Sequence, residues 1–209
     1  YRWAQTQDTI CIEKFDGKYK LTLNNHSVVS ASCDSTSSVT SGEVATQYSG
    51  TVVSAEIGDC CNTIGNGAFD YCRSLTSVTI PNGVISIDLW AFQGCSALCN
   101  TTIPKSVTSI RQGAFDGCSQ LASVTFHDGL VTIGANAFSY TASLTSIKFP
   151  QGIKEIGGSA FSGCRNLKRI TIRTKALKTA KIGKNAFKGI SGNVTIKVPK
   201  KYVKAYKKM

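Results

Sequence analysis

Apolar residues along this chain recur in columns 23 positions apart, and that spacing organises everything else. Residues 144–166, LTSIKFPQGIKEIGGSAFSGCRN, show one period most cleanly, and the same pattern starts at Val52, Leu75, Leu98 and Leu121. A sixth copy starts at Leu167 and is stretched to 26 residues, so that its Ala-Phe pair falls at Ala186-Phe187. Self-similarity at a short fixed period is the signature of a solenoid.

Within each period the columns predict a strand and then a turn. The first column is Val52, Leu75, Leu98, Leu121, Leu144 and Leu167. The next runs Ala55, Val78, Thr101, Val124, Ile147 and Ile170, and two residues further lie Ile57, Ile80, Ile103, Phe126, Phe149 and Ile172. A step of two is strand spacing, so Val78 and Ile80 face inward while Ser77 and Thr79 face out. Pro81, Pro104 and Pro150 follow directly and end the strand by removing a ladder donor.

An apolar-polar stretch then leads to Ile64, Ile87, Ile110, Ile133, Ile156 and Ile182, and onward to an Ala-Phe pair. That segment has room for one or two helical turns. Three residues after the Phe stand Cys72, Cys95, Cys118, Thr141, Cys164 and Ile190, with Gly94, Gly117, Gly163 and Gly189 just before, as where a brief helix stops. One repeat cannot bury its own apolar face, so stacking must make a continuous core.

The pattern L-x-x-V-x-I-P-x-x-V-x-x-I-x-x-x-A-F-x-G-C, carried by residues 52–193, resembles the treponemal-type, BspA-like leucine-rich repeat of bacterial surface proteins. The resemblance implies an α/β fold class: a curved leucine-rich-repeat solenoid with a parallel sheet on the concave face, a short helical or irregular convex side and a β-rich N-terminal cap. It also implies a cell-surface or secreted location and a role in adhesion or host-protein binding. The family has no fixed catalytic or binding motif, so it assigns no site residue and no cofactor.

The flanks depart from the period. Residues 1–51 read as an N-terminal β cap or a linker: a hairpin over 11–15 and 18–23 about Asp16-Gly17, then a third strand over 27–32. Residues 34–41 have loop composition. Residues 194–209 read as a capping strand, with Ile196 and Val198 inward, and a short basic helix over 200–208 after Pro199. The start Tyr1-Arg2-Trp3 shows neither an initiator Met nor a signal peptide, as in a mature form or a piece of something longer. No apolar run is long enough to span a membrane as a helix.

Charge changes the picture. The chain carries a formal net charge of +12. Residues 1–143 hold seven Lys or Arg against eleven Asp or Glu, a net −4, while residues 144–209 hold seventeen against Glu155 alone, a net +16. Such asymmetry points to an anionic partner or neighbourhood. Outward strand positions pass from Ser77/Thr79, Asn100/Thr102 and Ser123/Thr125 to Ser146/Lys148, Arg169/Thr171 and Thr195/Lys197, with Arg173 just beyond. Lys148, Arg169, Arg173 and Lys197 are therefore the candidate binding residues. An acidic protein, an anionic glycan or a cell-wall polymer fits them equally; against these stands the plain alternative that the bases keep the solenoid end soluble.

Nucleic acid is the weakest of the charge-based readings, since those positions carry no stacking aromatics. Trp90 stands where other repeats have Gly67, Gly113, Asn136, Ser159 and Asn185. It is either a binding anchor on the convex side or, the plainer reading, a side chain packed on the neighbouring repeat.

Chemistry is scarce. Two histidines, His26 and His127, build neither a hydrolytic triad nor, with cysteines at these spacings, a zinc site. The expectation is no enzyme, no metal and no cofactor. Nine cysteines leave at least one unpaired within the chain. The column Cys72, Cys95, Cys118 and Cys164 reads as buried free thiols, because parallel inward side chains are poorly aimed for disulfides. Cys11 and Cys33 are a candidate pair. Thr141, the polar member of that column, needs a backbone acceptor or a water if it is buried.

Overall fold

The computed structural model describes residues 10–15, 18–23, 27–32, 38–39, 54–57, 62–173 and 181–200. Its core is a stack of the 23-residue units, and two parallel ladders run along the stack. The long ladder takes one strand per repeat: β5 (Ser54–Glu56), β7 (Ser77–Thr79), β9 (Asn100–Thr102), β11 (Ser123–Thr125), β13 (Ser146–Phe149) and β15 (Arg169–Ile172), followed by β16 (Thr195–Lys197). These are the seven parallel strands that the columns predict. Their central residues Ala55, Val78, Thr101, Val124, Ile147 and Ile170 are buried, and the flanking Ser, Thr and Asn of β7, β9 and β11 are exposed.

The second ladder is not visible in the columns. It joins β4 (Ser38–Val39), β6 (Thr63–Ile64), β8 (Ser86–Ile87), β10 (Ser109–Ile110), β12 (Thr132–Ile133) and β14 (Glu155–Ile156) in parallel, and a bridge from Ile156 to Ile182 extends it. Each strand has two residues, and in β6, β8, β10, β12 and β14 the second, an Ile, is buried. At the other end of the long ladder, β1 (Ile10–Phe15) pairs in parallel with β5 and antiparallel with β2 (Lys18–Leu23), which pairs with β3 (Ser27–Ser32). Asp16, Gly17, Cys33 and residues 201–208, on which the expected hairpin turn, the candidate pair with Cys11 and the basic helix depend, lie outside the described residues.

The Ala-Phe segment forms turns, and the irregular convex side is the one found; no α-helix occurs among the described residues. Hydrogen bonding explains why. Alternate amides bond within the repeat (Ala68 to Gly65, Asp70 to Gly67, Cys72 to Phe69), and the amides between them reach the next repeat, Gly67 to Leu89, Phe69 to Ala91 and Tyr71 to Gln93. A helix would turn every amide back on its own segment. Here half of them tie repeats together, so the turn side is itself a ladder.

The core follows from identity down each column. Phe69, Phe92, Phe115, Phe138, Phe161 and Phe187 stack face to face at centroid spacings of 5.1, 5.0, 5.1, 5.3 and 5.5 Å. That matches the ~4.8 Å pitch of neighbouring strands. The ladder breaks once, between the adjacent strands β11 and β13. There Phe126 and Phe149 replace the Ile of earlier repeats, and their rings stand 6.5 Å apart, wider than the other stacked pairs. At the last strand, Ile196 keeps its register with Ile170 but is 53% exposed, since no described repeat covers it.

Cys72, Cys95, Cys118 and Cys164 are buried free thiols. Cys95 Sγ donates to the Phe69 carbonyl at 3.0 Å, and Cys118 and Cys164 repeat the contact to Phe92 and Phe138. Thr141 finds its acceptor, donating to the Phe138 carbonyl at 2.7 Å. Thr101 does not: its hydroxyl is buried without a partner. Thr101→Val should therefore stabilise the protein by about 1 kcal/mol. Thr141→Val removes a made bond, yet leaves Phe138 O the Cys164 thiol, so its cost should stay within about 1 kcal/mol. Denaturant midpoints at unchanged slope measure both; a destabilised Thr101→Val would refute the account of that column.

Candidate functional site

Strand register decides which outward side chains are neighbours. Lys148 pairs with Thr171 and Thr171 with Lys197, which places the two lysines in one row on either side of a threonine. The adjacent row is Ser146, Arg169 and Thr195. Inward neighbours Ile147, Ile170 and Phe149 are buried, so the pleat points Lys148, Arg169 and Lys197 to solvent. Arg173 follows β15 directly and is exposed. The two lysines are two rungs apart, roughly 10 Å at the usual strand pitch.

Among the described residues no acid forms an ion pair with this group. The one ion pair among them is Arg111 with Asp88, at 3.5 Å. Glu155, the sole acid from residue 144 onward, is on β14 in the other ladder. Like charges on adjacent rungs repel and are mildly destabilising.

Trp90 lies elsewhere, in the turn after β8 (Ser86–Ile87). Its backbone is left-handed, at φ 55°, like Gly67, Gly113, Asn136, Ser159 and Asn185 in the same column. The indole covers the next repeat: a Cβ added to Gly113 would stand 2.4 Å from its Cδ1. With 42% of the residue exposed, the ring packs on the neighbouring repeat and still presents a surface. It does not join the four cations.

The repeat also matches a known family. Residues 42–168 and 131–209 match the BspA-type leucine-rich-repeat region, in six copies. The chain belongs to the BspA-type leucine-rich-repeat family. Among solved structures it is similar to the T. pallidum leucine-rich-repeat protein, at TM-score 0.57 and 24% identity over 75% of this chain and 82% of that one. It is also similar to a leucine-rich-repeat protein from Eubacterium ventriosum, at TM-score 0.55 and 26% identity over 72% of this chain and 45% of that one. No curated protein matches.

BspA-type repeats are non-catalytic, typically belong to surface proteins, and leucine-rich repeats generally serve as protein-binding modules. No described helix is long and apolar enough to cross a membrane. No group of three or more His, Cys, Asp or Glu among the described residues could hold a metal ion. Sequence reasoning missed two aromatics of the BspA-type turn side, Tyr71 and Tyr140. They stand in the column of Gly94, Gly117, Gly163 and Gly189, and comparing that column across repeats would have found them.

Proposed function

We propose that this BspA-type chain is a non-catalytic surface binding module that docks an anionic partner, an acidic protein or an anionic wall or matrix glycan, on the outward face of β13, β15 and β16. The observation that carries this reading is the register of Lys148, Arg169 and Lys197 on adjacent rungs, exposed and without an acid beside them. Adhesion at the cell surface is the role that fits such a face in this family.

Immobilised heparin and an acidic protein are the two probes. Arg169→Glu with Arg173→Glu should abolish binding to the true partner class. Lys204→Glu with Lys208→Glu makes the same charge change in the tail and should leave most of it. Binding should also weaken steeply with salt, because screening shortens to about 8 Å at physiological ionic strength. Equal losses in both double variants would mean that bulk charge alone binds. No binding to either probe would leave a passive spacer as the better reading.

A further inference from the structure

The turn side holds a feature that the basic strands do not explain. Its second left-handed column runs Tyr71, Gly94, Gly117, Tyr140, Gly163 and Gly189, with φ between 54° and 75°. Glycine adopts that backbone freely, whereas a bulky residue there carries strain on the order of 1 kcal/mol or more. Burial does not offset it: Tyr71 is 47% exposed and Tyr140 60%. Two repeats therefore hold an aromatic ring at the surface where glycine would be the easier residue.

The rings are placed by the glycines beside them. A Cβ on Gly94 would stand 2.6 Å from Tyr71 Cδ1, and one on Gly163 would stand 2.7 Å from Tyr140 Cδ1, so each ring lies over the next repeat's glycine. Gly117 is different. A Cβ there would meet only the Gly94 backbone, at 3.7 Å, and the space above it is open. The outcome is a groove of about 480 Å³ with Gly117 in its floor, lined by Tyr71 and Tyr140. The two tyrosines stand three repeats apart, roughly 14 Å along the stack.

Polar groups converge on the same space. Gln93, Ser96, Asp116 and Arg73 line it. Side chains of Ser139 and Gln93 hydrogen-bond to Asp116, which fixes the carboxylate in place. The Arg73 guanidinium sits 5.5 Å from the Tyr71 ring centre.

We propose that this groove binds a short neutral oligosaccharide. A sugar offers apolar C–H faces to aromatic rings and hydroxyls that both donate and accept. Two tyrosines, a carboxylate, an amide, a hydroxyl and a guanidinium supply the complement. The lining holds one acid and one base, and it belongs to residues 1–143, whose net charge is −4, which disfavours a polyanion. Its volume lies within the range of small-ligand sites. The plain alternative is that the tyrosines merely shield glycine backbone.

The test is an array of neutral gluco-, manno-, galacto- and N-acetylglucosamine oligosaccharides, followed by calorimetry on the full chain. At least one class should bind, with an affinity that does not change with salt. Tyr71→Gly and Tyr140→Gly should each weaken it roughly tenfold. Both variants restore the residue of the other repeats, so the melting temperature should hold. Arg169→Glu with Arg173→Glu should leave sugar binding untouched, which separates this site from the basic face. The proposal is overturned if no neutral oligosaccharide binds, or if binding survives both tyrosine substitutions. A peptide ligand lost in those variants, with no sugar bound, would assign the groove to protein and equally overturn it.

Discussion

Phe138→Ala is expected to destabilise the protein by about 3–5 kcal/mol, measured by chemical denaturation. Phe138 is fully buried and is held on three sides by other rings. Phe115 and Phe161 stack on its two faces at 5.1 and 5.3 Å, and Phe126 meets it edge-on at 5.6 Å. Removing the ring leaves a cavity in the middle of the stack, where backbone ladders on both sides prevent collapse. In a solenoid the interface between neighbours carries the cooperativity. The variant should therefore also unfold less cooperatively, with a lower denaturant slope, as the two ends uncouple. Phe187→Ala, at the half-buried end of the same column, should cost less. If Phe138→Ala cost no more than Thr141→Val, the stacked column would not be what holds the repeats together.

The same identity of columns explains what is legible in the sequence. Val78, Val124, Ile147 and Ile170 alternate with outward Ser, Thr, Lys or Arg, so the long ladder and its outward cations follow from a period of two. The second ladder has two residues per strand and only one inward Ile, too little for any periodicity to register. Helical turns are the natural expectation at the Ala-Phe pair, because the segment is short and ends in Gly. Whether Phe69 N–H turns back or reaches Ala91 depends on the next repeat being in place, and no local pattern encodes that. The groove at Gly117 is hidden from the sequence for a related reason. Its openness depends on Gly94 preceding it in the stack, one repeat away, while the rings that border it lean over Gly94 and Gly163.

Raising the pH to about 10.5 is expected to remove several kcal/mol of stability, through the cysteine column. Burial pushes the Cys72 thiol from the ordinary 9.0 up to about 12, helped by the nearby Asp70 charge. Burial likewise raises Cys164 to about 11, against hydrogen bonds with Thr141 that lower it. Cys95 and Cys118 are driven upward by the same desolvation. These are acids whose folded value exceeds the unfolded one. The stability they contribute is complete below about pH 9 and is lost as pH rises toward the folded values, because only the unfolded chain ionises. One unit is worth about 1.4 kcal/mol, so by about pH 10.5 Cys72 and Cys164 have each cost roughly 2 kcal/mol. Cys95 and Cys118 add in the same direction, against a total stability of about 5–15 kcal/mol for a typical domain. The decisive comparison is with a chain that loses thiols alone. Cys95→Thr with Cys118→Thr, which copies the buried Thr141 into two more repeats, should shift the alkaline unfolding midpoint upward and reduce its proton dependence by about two. Exposed Cys99 should react with a thiol reagent in the native state, and the column cysteines only on unfolding. An alkaline midpoint that does not move in the double variant would show that buried thiols are not what makes the fold sensitive to base.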